Sequence, residues 1–212
     1  MTHTDRPGAV LMQFAKWPEA GRVKTRLMPL LGAGGALQAH ITLTLAVLDN
    51  LCASGYPVQF WWDRALEPAP EESGVIVENL DSAGLAQKVQ QGATLGDRML
   101  AALSESLASY DRAVVIGSDC PSVDPGYVRE AVARLASADV VLGPSDDGGY
   151  VLIGASRVVP GMLDNIDWGT DRVMEQTCAR LASLGLQVSL LAPRWDVDEP
   201  DDWERFQRLA PA

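Results

Sequence analysis

Short apolar or β-branched runs alternate with longer stretches of helical period along the whole chain. The short runs are Ala9–Ala15, Val58–Trp62, Val75–Val77, Ala113–Ile116, Val140–Leu142, Val151–Ile153 and Val188–Leu191, each of strand length. Between them Ala36–Cys52, Gly96–Leu107, Tyr127–Leu135, Arg172–Leu184 and Asp201–Leu209 carry apolar residues every three or four positions, several after Gly, Pro or Asp. Two parallel strands need a crossover of about a dozen residues, which a helix ordinarily supplies. The alternation therefore predicts a three-layer α/β fold with a mostly parallel central sheet and helices on both faces. A chain of 212 residues is enough for one such domain, which would bury roughly 70% of its unfolded surface. No repeat or interdomain linker interrupts it, and Glu67–Ser73, rich in Pro and Glu, reads as a surface loop. One domain over residues 1–212 is expected.

Charge narrows the partners. Seventeen Lys and Arg stand against 28 Asp and Glu, a net charge of −11. Proteins that coat nucleic acid rely on many cationic contacts to phosphate, so a small-molecule partner is expected and nucleic acid is not. Cys52, Cys120 and Cys178 are odd in number, without a C-x-x-C or a His cluster, which excludes a disulfide framework and a thiolate zinc site and suits a reducing cytoplasm. Asp5 and Arg6 precede an apolar stretch that Lys16 ends, too short for a signal peptide or membrane span, and no other apolar run approaches about 18 residues. The apolar helix Ala36–Cys52 suits either core or a dimer interface, so monomer and homodimer both stay open.

Open α/β sheets bind ligands beyond the carboxyl ends of their strands. After the first strand, Lys16, Arg22, Lys24 and Arg26 with the single acid Glu19 make a local charge of +3 within 11 residues, shaped by Pro18 and Gly21. Such a loop suits a polyphosphate, with point charges from Lys and forked donors from Arg; the plain alternative is a solvated charged loop. Neither G-x-G-x-x-G nor G-x-x-x-x-G-K-[ST] occurs, since Gly32, Gly34 and Gly35 have neither spacing. Asp119 follows the strand Ala113–Ile116 and the bare Gly117. Beside phosphates its task would be to hold Mg²⁺ or Mn²⁺; otherwise it is a turn or cap residue before Pro121. Cys120 reads as a small buried apolar residue. Asp146, Asp147, Gly148, Gly149 and Tyr150 lie between two strands, either as a plain hairpin turn or as acids that bind sugar hydroxyls and accept a proton. Between Arg194 and Glu204 six acids meet one base. Most suit the first turn of a helix at Pro200, but Asp196 and Asp198 precede it and can supply further metal carboxylates.

Taken together, K-x-P-x-x-G-R-V-K-T-R-L (Lys16–Leu27), L-G-D-R-M (Leu95–Met99), I-G-S-D-C-P (Ile116–Pro121), L-G-P-S-D-D-G-G-Y-x-L-I-G (Leu142–Gly154), W-G-T-D-R-V-x-E-Q-T (Trp168–Thr177) and D-V-D-E-P-D-D (Asp196–Asp202) resemble the bacterial DUF2064 group, glycosyltransferase-A-like proteins of the arsenosugar-biosynthesis type. The motifs follow in order over about residues 9–206. The resemblance implies a Rossmann-like GT-A, or nucleotide-diphospho-sugar transferase, fold related to the molybdenum-cofactor and phospholactate guanylyltransferases. It implies that Lys16, Gly21, Arg22, Lys24 and Arg26 form the nucleotide-phosphate loop, that Asp119 binds the divalent metal with Asp196 or Asp198, and that Gly96 and Arg98 approach the nucleotide. The chain departs from the family pattern at Ala20, where a second Pro is usual, at Gly169, where Ser is common, and at Asp196–Pro200, which replaces D-x-D-T-P. The loss of a hydroxyl at Gly169 bears on acceptor contacts there. Trp168 would stack on a sugar ring or fill a pocket edge.

Three functions follow as expectations. The first is a Mg²⁺- or Mn²⁺-dependent glycosyltransferase that moves a sugar from a nucleoside-diphosphate donor to a small acceptor, with Lys24 and Arg26 stabilising the departing diphosphate and Asp147, or Asp146, as acceptor base. The second is nucleotidyl transfer from a nucleoside triphosphate to a phosphorylated small molecule. The third, a nucleotide-binding regulator without catalysis, predicts charged residues missing from the strand ends, yet Lys24, Asp119 and Asp198 are all present.

Overall fold

A computed structural model of the chain describes residues 8–209. The expectation about Asp5 and Arg6 lies outside the described residues. Seven strands form one sheet: β1 (Val10–Ala15), β2 (Val58–Trp62), β3 (Ala86–Val89), β4 (Ala113–Gly117), β5 (Val140–Pro144), β6 (Tyr150–Ala155) and β7 (Val188–Leu190). Their order is β3-β2-β1-β4-β6-β5-β7, and every pairing is parallel except those of β6, which runs antiparallel to β4 and β5. The helices are α1 (Met28–Cys52), α2 (Gly74–Ser82), α3 (Leu95–Leu107), α4 (Pro125–Arg134), α5 (Val173–Ser183) and α6 (Pro200–Leu209). This is the predicted mostly parallel α/β architecture.

The period-two alternation of β1 sorts the layers. Leu11 and Ala15 pack with α1, α2 and α4 on one face, whereas Val10, Met12 and Phe14 pack with α3 and α5 on the other. A smaller cluster joins α1 to α6 through Leu27, Ala36, Leu43, Val197 and Trp203, and so fixes the C-terminal segment across the end of the sheet. By length and composition the stretch from Thr25 to Cys52 would suffice to cross a membrane. In the fold it lies on the sheet, with Leu37, Ile41, Val47, Leu48 and Leu51 in the core.

Two expectations are corrected. Val75–Val77 is no strand but part of α2, because Ile76 and Leu80, one helical turn apart, both reach the core while Val75 is exposed. The strand at that place in the order is β3, whose sequence Ala-Gln-Lys-Val is half exposed at the sheet edge and carries no apolar run to announce it. Helix α1 also starts eight residues before Ala36, at Met28, and passes through a non-helical Gly32 (φ 70°, ψ 173°).

Candidate active site

The carboxyl ends of β1 and β4 carry the densest polar chemistry. Beyond Ala15 the chain crosses the sheet edge before a 3₁₀ turn at Thr25–Leu27. The ring of the buried His40 on α1 donates through Nε2 to the Lys16 carbonyl at 3.0 Å. Burial pushes the pKa of His40 down, which suits a neutral donor that pins the loop where it leaves the strand. Lys24 adopts a left-handed backbone (φ 45°), uncommon for a residue with a side chain, and that side chain is only 7% exposed. Its Nζ lies 3.0 Å from Asp119 Oδ2 and 3.6 Å from Asp198 Oδ1. Burial opposes the charge, but the two carboxylates outweigh it and raise the Lys24 pKa above the ordinary value.

Asp119 is placed by three local devices. Gly117 leaves it room, since a Cβ there would stand 2.8 Å from Asp119 Oδ1. Ser118 is tied from below: Gln13 Nε2 donates to Ser118 Oγ (3.0 Å) and to the Thr44 carbonyl (2.8 Å), and Ser118 Oγ donates to the Phe14 carbonyl (2.8 Å). The Val197 amide donates to the Asp119 carbonyl at 2.9 Å and draws the C-terminal segment over the strand end. Burial again opposes charge on Asp119, yet Lys24 and the Cys120 thiol, which donates to Oδ1 at 3.3 Å, hold its carboxyl below the usual range. Its side chain keeps 40% exposure, enough for a ligand to reach it. Asp198 Oδ2 accepts from Arg26 at 2.6 Å, and Arg26 also reaches Glu199 at 3.3 Å.

Asp119, Asp198 and Arg26 stand where two lobes of one cleft meet. The basic lobe, about 480 Å³, is lined by Lys16, Arg22, Lys24, Arg26 and Arg98 with Asp63, His40 and Gln90. The second, about 500 Å³, lies over β4, β6 and β5 and has an apolar wall and an acidic rim. At that rim burial, with Asp119 and Asp147 as like-charged neighbours, pushes the Asp196 carboxyl up to about 7. Asp147 Oδ1 accepts from the Gly149 amide at 3.0 Å and from the Ser145 hydroxyl, so one oxygen closes its own turn. Gly148 (φ 89°) lies against the start of α5: a Cβ would meet the Asp171 carbonyl at 2.3 Å, and its own carbonyl accepts from Met174 at 2.9 Å. The Tyr150 and Trp168 rings meet edge to face at 6.1 Å and 81°.

Among the described residues no three His, Cys, Asp or Glu side chains converge as a ready metal cluster. Asp119, Asp196 and Asp198 border the same lobe, with the Lys24 ammonium between Asp119 and Asp198. One or two carboxylates suffice for Mg²⁺ when phosphate oxygens and water complete its shell. The charge crowding that raises Asp196 fits a cation bound against Asp119 and Asp196.

The fold brings Lys16, Arg22, Lys24, Arg26, Arg98, Asp119, Asp147, Gly149, Tyr150, Trp168, Asp196 and Asp198 to this cleft. Gly96 is elsewhere: it is buried in α3, where a Cβ would meet the Leu163 carbonyl at 2.8 Å and Trp168 at 3.0 Å, so it seats Trp168. Asp146 points out of the cleft to Arg205 at 3.9 Å, Gly148 packs as described, and Gly21 (φ 78°) sits exposed in its turn. Sequence reading missed the apolar wall, Phe14, Leu95, Met99, Val115 and Ile153, and also His40, Asp63, Gln90, Thr170 and Asp171. Phe14 had a signal as a large residue at a strand's carboxyl end, and Leu95, Met99, Ile153, Thr170 and Asp171 lie within the sequence motifs; the others gather only through tertiary contact.

The comparisons with known proteins agree with this fold. Residues 51–170, more than half of the chain, match the family model of an uncharacterized protein conserved in bacteria, DUF2064. The loop Lys16–Leu27 and the segment Asp196–Asp202 lie outside that match. A candidate nucleotide-diphospho-sugar transferase from Desulfovibrio desulfuricans G20 superposes with a TM-score of 0.81 at 29% identity, over 91% of this chain and 83% of that one. A Methanothermobacter nucleotidyl transferase shares the fold at 13% identity and TM-score 0.63, over 95% and 96% of the two chains. So does Rv0371C of Mycobacterium tuberculosis H37Rv, solved as a manganese complex, at 19% identity and TM-score 0.58 over 96% and 100%. No curated protein matches. The motifs, the sheet order and the family match together make this chain a member of the DUF2064 family.

Proposed function

We propose that the protein is a nucleotide-using transferase and, within that class, a Mg²⁺- or Mn²⁺-dependent glycosyltransferase that moves a sugar from a nucleoside diphosphate to a small acceptor. The observation that carries this is the buried Lys24 ammonium between Asp119 and Asp198, at the junction of a basic lobe and an acid-rimmed one. The basic lobe takes the diphosphate, and the second takes sugar and acceptor. The bond from the anomeric carbon to the diphosphate oxygen breaks with its electron pair going to the diphosphate, where Lys24 and Arg26 meet the growing charge. Lys16, Arg22 and Arg98 hold the remaining phosphate oxygens. The acceptor hydroxyl bonds to the anomeric carbon and gives its proton to the Asp147 oxygen that does not close the turn. A divalent cation, held by Asp119 with Asp196 or Asp198, would supply further charge neutralisation at the diphosphate. The Desulfovibrio relative, named for nucleotide-diphospho-sugar transfer, supports the same class. On this reading one domain carries the whole site and the reaction belongs to the cytoplasm, in a monomer or homodimer.

Nucleotidyl transfer is the second reading, favoured by the four-cation loop, which matches the charge of a triphosphate. A thermal-shift series with UDP-, GDP-, ADP- and dTDP-sugars and the four ribonucleoside triphosphates, each with and without Mg²⁺ or Mn²⁺, separates them. A ligand at 100 times its Kd adds about 2.7 kcal/mol and raises Tm by a few degrees. One diphosphate sugar should stabilise in the presence of metal, and Lys24→Ala should weaken that binding roughly tenfold or more. A triphosphate that outperforms every sugar donor moves the reaction to nucleotidyl transfer; no response to any nucleotide removes both.

A further inference from the structure

The second lobe separates its chemistry by wall and rim. Phe14, Met99, Val115, Ile153, Tyr150 and Trp168 make a continuous apolar wall, while Asp147, Asp171 and Asp196 border it. Asp119 and Asp198 are paired with Lys24 and Arg26, but among the described residues none of the three rim acids has a cation within 4.0 Å. Arg26 is the one Lys or Arg bordering this lobe among the described residues, and Asp198 and Glu199 already engage it. A volume of about 500 Å³ accommodates a sugar together with a ring-sized group.

We propose that this lobe selects acceptors with an apolar, ring-sized body bearing a neutral hydroxyl as the nucleophile, favours those that also carry a protonated amine, and rejects acceptors that carry a phosphate. The inference rests on the transferase reading above and names its acceptor class. An apolar body replaces water against the wall, which is favourable in proportion to the area covered. An ammonium meets Asp147 and Asp171, the rim acids that the proposed divalent cation leaves free, and is held, whereas a phosphate beside these two meets no Lys or Arg and is repelled; the discrimination is built as much on rejection as on attraction. The rim therefore also separates the two reactions. Sugar transfer to a hydroxyl brings a neutral nucleophile into this lobe, while nucleotidyl transfer to a phosphorylated molecule would bring an anion.

Three probes with one body test it: 2-phenylethanol, 2-phenylethylamine and 2-phenylethyl phosphate, titrated into the full chain by calorimetry with and without Mg²⁺. The amine should bind tightest and the phosphate about tenfold or more weaker. Trp168→Ala should weaken the amine and the alcohol together. Asp171→Asn, a change at an exposed side chain, should lower the amine-to-alcohol ratio about two- to threefold and leave alcohol binding unchanged. A phosphate that binds as tightly as the amine, amine binding unaltered by Trp168→Ala, or uridine or guanosine competing with the alcohol would each overturn the proposal. Nucleotide titrations run in parallel read the basic lobe: if none binds while the probe order holds, the transferase reading fails and the selectivity of this lobe stands.

Discussion

Asp196 is the residue whose chemistry most depends on its neighbours. Its carboxyl titrates near 7 because burial and the nearby Asp119 and Asp147 disfavour its charge, whereas in the unfolded chain it titrates near 3.8. Between those values the native state holds the extra proton, so the Asp196 contribution to stability is fully present below about 3.8 and is lost as pH rises toward 7. Asp119, with its lowered pKa, works in the opposite sense only as pH drops through the acidic range. The buried neutral His40, its pKa lowered, contributes in the opposite direction as pH rises past its range, so the test is a difference: in metal-free protein, Asp196→Asn should raise Tm relative to the parent by more at pH 8 than at pH 5. Parallel melting curves for both proteins across this range would sink the assignment. The presence of Asp196 near the other carboxylates of the cleft was legible in the sequence motif. Its shifted titration was not, because Asp119 and Asp147 come from other strands and approach it only when the C-terminal segment docks through Val197.

Helix α3 lines both lobes through Leu95, Arg98 and Met99, and its first turn also shapes the site through residues that do not face it. Thr94 accepts from the Asp97 amide at 3.1 Å, and Asp97 accepts from the Thr94 amide at 3.0 Å, a reciprocal cap that starts the helix sharply. Two residues after the cap, Gly96 lets Trp168 and Leu163 close onto the helix. Thr94→Ala should cost about 1 kcal/mol and leave binding in the second lobe unaltered. Gly96→Ala should cost roughly 1–3 kcal/mol and also weaken 2-phenylethanol binding, because its Cβ must displace the carbonyl of Leu163 or the Trp168 ring. Equal effects of the two substitutions on both readouts would show that Gly96 serves stability alone. The helix itself was readable from its period, as were α4, α5 and α6, since an amphipathic stripe is a local property. The segments that were misread are those where burial overrode local pattern. In α2 the β-branched Val75 and Val77 flank the buried Ile76, and in β3 polar Gln87 and Lys88 form an edge strand whose side chains meet the Trp62 and Trp61 rings of β2, a pairing that no local apolar pattern announces.

At the scale of the whole molecule, parallel connectivity makes the two edges of the sheet unequal. The loops after β1, β4 and β5 and the segment before α6 collect at the carboxyl edge, and with them nearly all the charged motifs that the sequence displayed. The amino edge has its own cleft, about 450 Å³, lined by Ser137, Asp139, Ser156, Arg157 and Gln187, but Asp139 there already holds Arg157 at 2.9 Å and the Gln187 amide at 2.8 Å. Its polar groups satisfy one another, whereas the rim of the second lobe leaves carboxylates without cations. A nucleotide with Mg²⁺ should accordingly slow amide hydrogen exchange in residues 16–26 and 117–119, and an acceptor-class probe should extend protection to 145–149 and 168–171. Residues 53–57, 108–112 and 185–187, at the opposite edge, should exchange as before. Exchange measures local opening free energy, so protection follows the elements that a ligand bridges. Protection confined to 137–139, 156–157 and 185–187 would move ligand binding to the amino edge and leave the buried Lys24 as a structural ion pair between β1 and β4.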